Sequence, residues 1–208
     1  MREFSNRSYD VGGKGWTKAQ TAAANKSLES YRAGQARAQK LYADKKQWQR
    51  YQAVLGDDAP KTFSGFRRMK AANGEKWNYT SLDYKRRTRL ANHPETALPN
   101  ADKATAANEK FTKYLFNPEN KDGWAKGRAF ESRLGYNIDN WKELKQDILD
   151  RAAKYPAIQN GQTKQGNSKY VQDIVMYGKK NKPANVKVVW VNEKSIERMI
   201  TAFIEEVK

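Results

Sequence analysis

Along its first half the chain interleaves lysine and arginine with aromatic residues. Lys45, Lys46 and Arg50 surround Trp48 and Tyr51. Arg67, Arg68 and Lys70 follow Phe63 and Phe66, and Lys85, Arg86, Arg87 and Arg89 follow Tyr84. Cationic side chains of this kind donate charge-assisted hydrogen bonds to phosphate oxygens, and aromatic rings stack on bases, so the chemistry implied is nucleic-acid contact. The whole chain carries 40 Lys+Arg against 23 Asp+Glu, a net charge of +17 in 208 residues. Such a surface attracts polyanions and repels its own kind. The charge is uneven: residues 1–100 hold 20 basic and 9 acidic groups, residues 101–208 hold 20 and 14. A run such as Lys85–Arg89 also reads as a solvated helix face. An acidic protein partner would satisfy the same charge.

Other chemistries lack their residues. With no Cys and one His, His93, neither a Cys-based zinc site nor a His-rich metal site can be built. His93 stands before Pro94 and reads as an exposed linker residue rather than a general base. Asp139, Asp147, Asp150 and Asp173 are scattered, whereas a two-metal nuclease needs clustered carboxylates. No Gly-rich loop follows a strand, so an ATPase is unsupported. No metal or cofactor is expected. No apolar run approaches a membrane span, and the first residues lack the apolar stretch of a signal peptide.

The elements that hold these residues follow from periodicity and punctuation. Residues 1–15, with Gly12, Gly13 and Gly15, read as a flexible arm. Thr17 is placed to cap a long helix from Lys18 to Leu55, where Leu41, Trp48, Leu55 and Tyr51 form a thin apolar stripe. By that stripe Trp48 and Tyr51 read as core rather than as stacking platforms. Gly56 to Pro60 is a break. Lys61–Lys70 and Glu75–Leu90 read as two further helices, the second holding Trp77 and Tyr84, with a turn at Asn73-Gly74. A linker is expected over 91–103. The remainder, 104–208, reads as a compact domain. Helices are expected at Lys103–Phe116, at Gly123–Leu134 closed by Gly135, and from Asn140, whose spacing to Glu143 suits a capping box, to Pro156. Residues 157–168 read as a loop. Strands are expected at Tyr170–Tyr177 and Val186–Val191, separated by a basic turn. The segment Ile196–Ile204 fits either a helix or a third strand. Helices followed by an antiparallel meander define an α+β fold: a long basic N-terminal helix and short helices, then helices packed on a small antiparallel sheet.

Two stretches resemble known families. Residues 16–90 resemble the C-terminal region of minor head proteins from phages of Gram-positive bacteria. The likeness rests on Gly15-Trp16-Thr17-Lys18, on Lys46 to Leu55, on Gly56-Asp57-Asp58-Ala59-Pro60-Lys61-Thr62-Phe63, and on the Phe66…Met69-Lys70 and Trp77…Tyr84 segments. Residues 110–208 are similar to a domain that ends some phage head proteins and polymorphic toxins. The matching residues are Lys113 to Pro118, Lys126…Phe130…Leu134-Gly135-Tyr136, Tyr177-Gly178, Val189-Trp190-Val191 and Thr201-Ala202-Phe203. The first resemblance implies a virion or ejected protein beside head or portal proteins, and the basic charge of this half adds nucleic-acid binding, DNA before RNA, largely without sequence preference. It would reside in the virion interior or the host cytoplasm. The second implies the small α+β fold of the barnase, colicin and RelE ribonucleases, and with it an acidic immunity protein. An assembly adaptor binding an acidic partner is a third reading.

A metal-free cut of RNA needs a base for the 2′-hydroxyl, a cation for the phosphorane and an acid for the leaving oxygen. RelE-like sites use Lys, Arg and Tyr, and the corresponding candidates are Lys126, Arg133, Tyr177, Lys179 and Thr201. Lys126 and Arg133 lie seven residues apart and share a helix face. Each basic candidate also reads as surface charge, and Tyr177 as a core or edge position.

Overall fold

The computed structural model describes residues 15–73, 79–179 and 183–206. The arm before Gly15, the turn at Gly74, Glu75, Trp77 and residues 180–182 of the basic turn lie outside the described residues. The chain divides into two compact units, Met1–Gln47 and Trp48–Lys208.

The helices are α1 (Lys18–Leu55), α2 (Phe63–Asn73), α3 (Tyr79–Asn92), α4 (Lys121–Leu134) and α5 (Trp141–Ala152). The strands are β1 (Ala157–Gln162), β2 (Ser168–Met176), β3 (Ala184–Glu193) and β4 (Ile196–Ile204). The fold is α+β. Within the first unit, α1 starts as its sequence predicts. Thr17 Oγ1 accepts from the Gln20 amide, and Gln20 Oε1 accepts from the Thr17 amide at 2.9 Å, a reciprocal cap. Leu41 does not join an apolar stripe; it is 45% exposed, because Ala, Gln and Lys around it offer no apolar partners.

In the second unit, Tyr51, Leu55 and Phe66 are buried together, with Trp48, Phe63, Met69 and Tyr84 packed around them. Tyr51 meets Phe66 edge-on and stacks on Tyr84 at 4.8 Å between centroids. These aromatics are therefore packing residues. Residues 91–103, expected as a linker, contribute Leu98 to the main core.

That core lies on one face of an antiparallel sheet of order β1-β2-β3-β4. Gln172, Ile174 and Met176 of β2, Val186, Val188 and Trp190 of β3, and Met199 and Ala202 of β4 meet Phe111, Leu115, Phe130, Leu134, Leu144 and Ile148. The buried Gln172 is fully used: its amide donates to the Ala152 and Tyr155 carbonyls, and its Oε1 accepts from Trp190 Nε1 at 3.2 Å. A buried polar side chain with all its partners fixes strand position as well as energy.

Three expectations are corrected, and one ambiguity is resolved. Lys103–Phe116 is not an α-helix. Thr105 exchanges backbone hydrogen bonds with β4, giving its N–H to Glu197 and accepting from Met199, both at 2.8 Å. Only Lys110–Leu115 coils, as a π-helix. Residues 157–162 are strand β1, not loop; the strand is polar and exposed, so hydrophobic alternation does not announce it. Asn140 does not cap α5 with its side chain, which instead accepts from the Asn137 amide and donates to the Gly135 carbonyl. The ambiguous last segment is β4, turned back on β3 by Lys194 and Ser195, both at positive φ (52° and 63°). Gly135 does close α4 in the left-handed conformation at φ 83°.

Candidate functional site on the second sheet face

Strand alternation assigns the residues between the core positions to the sheet's second face. Across the strands Asp173 pairs with Lys187 and Lys187 with Phe203; in the next row Val171 pairs with Val189 and Val189 with Thr201. The register slips between Val189 and Trp190, where Met199 and Thr201 face them and Ile200 is the extra residue. This bulge keeps both Met199 and Ala202 in the core while turning Thr201 to the second face.

Two cations meet two carboxylates here. Lys187 Nζ lies 2.6 Å from Glu205 Oε2, and this hydrogen bond holds the ammonium above the ordinary lysine range. Arg86, on α3, donates from Nη1 to Asn185 Oδ1 at 2.6 Å. Burial lowers its pKa, opposed chiefly by the charge of Asp173. Asp173 Oδ1 and Thr201 Oγ1 are shielded from solvent with no hydrogen-bond partner. At the β4 edge, Lys126 Nζ donates to Tyr114 Oη at 2.8 Å and sits 5.7 Å from the Phe203 ring centroid.

Arg86 is held in place by its neighbour. Arg87 Nε donates to Asp83 Oδ1 at 2.8 Å and Arg87 Nη2 to Asp58 Oδ2 at 2.5 Å. Asp58 also accepts from Arg151 at 3.1 Å. Asp83, fully buried, takes further donors from Tyr155 at 2.5 Å and Tyr177 at 2.7 Å. This network ties α3 and the residues after α1 to α5 and the end of β2. Burial, reinforced by the Asp83 charge, pushes the Tyr155 and Tyr177 hydroxyls well above the usual tyrosine range.

The predicted catalytic residues separate into three places. Lys126 and Thr201 flank the β4 edge. Tyr177 is spent on Asp83. Lys179 pairs with Glu143 at 2.5 Å, and its amide donates to the Leu134 carbonyl, next to exposed Arg133 at the end of α4. Of the predicted phosphate ligands, Lys45 and Lys46 are exposed in the first unit, and Arg50, Arg67, Arg68, Lys85 and Arg89 are exposed in the second. Lys70 is half-buried. Arg86 and Arg87 turn inward, so the Lys85–Arg89 run is not one solvated face. Arg87 in particular is committed to carboxylates and not open to phosphate. Asp173, Lys187 and Glu205 were missed by sequence reasoning. Their signal is a charged residue recurring inside a β-rich run, which marks the face away from the core. Among the described residues no three His, Asp or Glu side chains converge as metal ligands, and no helix is long and apolar enough to cross a membrane.

Comparison with known proteins gives three findings. No curated protein matches the chain. A chain of a solved contact-dependent growth inhibition toxin–immunity protein complex from Klebsiella pneumoniae 342 aligns at TM-score 0.41 and 16% identity, covering 53% of this chain and 100% of that one. The model of a domain of unknown function, DUF6883, matches residues 97–206, just over half of the sequence. The matched span contains β1 to β4, α4 and α5, with Lys126, Asp173, Lys187 and Thr201; Arg86 and the Asp83–Arg87 pair precede it. The chain belongs to the DUF6883 family.

Proposed function

We propose that the Trp48–Lys208 unit is a metal-independent ribonuclease, of the kind that the resemblance of residues 110–208 to polymorphic-toxin domains implies, and that it works on the second face of the sheet. The observation that supports this most is the cross-strand row Asp173–Lys187–Phe203, with Thr201 one row away and Arg86 supplied by α3. Asp173 takes the proton of the RNA 2′-hydroxyl, and the freed oxygen attacks phosphorus. Arg86 and Lys187 balance the charge that builds on the phosphorane. The P–O5′ bond breaks, and the far more basic 5′-alkoxide takes a proton from the Lys187 ammonium; Asp173 then releases its proton to water as Lys187 regains one, which restores both groups. The products are a 2′,3′-cyclic phosphate and a 5′-hydroxyl. The two orphan oxygens support the same reading. A buried polar atom without a partner costs about 1–3 kcal/mol, and substrate hydroxyls supply the partners that Asp173 Oδ1 and Thr201 Oγ1 lack. Exposed Arg50, Arg67, Arg68, Lys85 and Arg89, with Lys45 and Lys46 of the first unit, attract the phosphate backbone.

The test is incubation of full-length protein with end-labelled single-stranded RNA in EDTA, beside Asp173→Asn and Lys187→Met. Each variant should retain its melting temperature and lose about 10²–10³-fold in cleavage rate. Intact RNA with the wild-type protein, or cleavage indifferent to both substitutions, overturns the proposal.

A further inference from the structure

Beside the sheet face the chain builds a second constellation that the cleavage chemistry leaves unused. The Lys126 ammonium lies 5.2 Å from the Tyr114 ring centroid and 5.7 Å from that of Phe203. The Tyr114 hydroxyl accepts one of its three N–H donors. All three side chains are half-buried. They come from three elements: Tyr114 from the π-helical turn Lys110–Leu115, Lys126 from α4, and Phe203 from the outer strand β4. β4 ends the strand order, and along its outer edge Thr105 makes a single bridge, opposite Arg198 and five residues before Phe203.

Their placement is rigid for a reason visible in the backbone. A Cβ at Gly123 would sit 2.1 Å from the Tyr114 carbonyl oxygen, and one at Gly127 1.8 Å from that of Leu115. Two glycines on one face of α4 thus let the helix lie directly on the π-turn. That contact brings Lys126 under the Tyr114 hydroxyl. Single π-turns of this kind are frequent at functional positions. Phe203 shares its cross-strand row with Lys187, so the aromatic–cation group adjoins the proposed scissile position.

We propose that Tyr114, Lys126 and Phe203 form a nucleobase subsite for the nucleotide next to the scissile phosphate. The proposal deepens the ribonuclease reading and rests on it for its ligand. The Phe203 ring offers a stacking surface, and the remaining N–H donors of Lys126 face the carbonyl and ring-nitrogen acceptors at the base edge. Tyr114 is a positioning residue: its hydroxyl aims the ammonium. A phosphate would need only the charge, whereas two rings flanking one oriented ammonium suit a flat ligand with acceptors in its plane.

The experiment measures binding rather than cleavage. Full-length Asp173→Asn protein in EDTA is titrated into fluorescein-labelled five-nucleotide single-stranded RNA, and into versions in which each base in turn is replaced by an abasic ribose. Removing one particular base should weaken binding about 10-fold. Phe203→Leu and Lys126→Met, each checked for an unchanged melting temperature, should bind intact and abasic RNA alike, and Tyr114→Phe should lose part of the discrimination. Indifference to every base removal overturns the subsite, as does an equal loss for intact and abasic RNA in Lys126→Met and Phe203→Leu, which would mean plain phosphate attraction. Base-dependent binding by a protein whose wild type leaves RNA intact would support the subsite while refuting the ribonuclease. Cleavage by the wild type without base dependence would do the reverse.

Discussion

Arg87→Met removes a cation from the middle of a sequence run that looks uniformly solvent-facing, and the structure predicts a large cost. The Arg87 side chain is 10% exposed and that of Asp83 fully buried, with Asp58 at 23%. Without the guanidinium, Asp83 keeps two phenol donors and Asp58 keeps Arg151, but the charge of Asp83 has no cation beside it. Breaking a buried pair by removing one partner costs about 3–5 kcal/mol. For a unit of this size that lowers the melting temperature by roughly 6–20 °C. Lys85→Met, two residues away and exposed, should change stability by no more than about 0.5 kcal/mol. Thermal unfolding of the full chain, followed by the fluorescence of fully buried Trp190 among the other tryptophans, reads both. The double variant Asp83→Asn with Arg87→Met should cost less than the two single losses added, by at least about 1 kcal/mol, because the residues share one network. An Arg87→Met protein as stable as Lys85→Met would refute the reasoning, since the run would then be the solvated face that its composition suggests.

Other outcomes follow from the same geometry. Tyr177 has a hydroxyl pushed up by burial and by Asp83, so the folded state keeps a proton that the unfolded chain releases near pH 10. Stability therefore falls as pH rises above about 10, and Tyr177→Phe should flatten that fall by about 1.4 kcal/mol per pH unit in urea titrations at stepped pH. Thr201→Val replaces a buried, unpartnered hydroxyl with a methyl group, so the melting temperature should rise by the equivalent of about 1 kcal/mol while RNA cleavage falls. Gly127→Ala drives a Cβ against the Leu115 carbonyl, which is backbone and cannot swing away; calorimetry should show a loss of about 3 kcal/mol.

Much of the architecture is legible in the residues alone, and the exceptions share a cause. Thr17, Gly56 and Gly135 mark helix ends through local chemistry, and Val186–Val191 marks its strand through β-branched composition, so both signals survive folding. β1 is not legible because Gln159, Asn160, Gly161 and Gln162 have no apolar alternation; the strand exists through its hydrogen bonds to β2. Thr105 likewise leaves its helical period because β4, more than ninety residues later, takes its backbone groups. β4 itself is ambiguous because Lys194 and Ser195 lack the Asn-Gly signature of a tight hairpin while adopting its geometry. For the site, residue type was a poorer guide than position. Tyr177 and Arg87 have catalytic chemistry but are consumed by Asp83, a residue no local pattern singled out. Thr201, Lys126 and Arg86 were legible as candidates, yet Asp173 and Lys187 required the strand register, and the placing of Arg86 beside them required the docking of α3.

The most direct test of the ribonuclease account compares one oligonucleotide in two forms, as RNA and with every 2′-hydroxyl replaced by hydrogen, each incubated with the full-length protein in EDTA and analysed by mass spectrometry. The account predicts that the RNA is cut to fragments ending in a 2′,3′-cyclic phosphate while the deoxy form stays intact. Equal cleavage of both forms, or none of either, would contradict it.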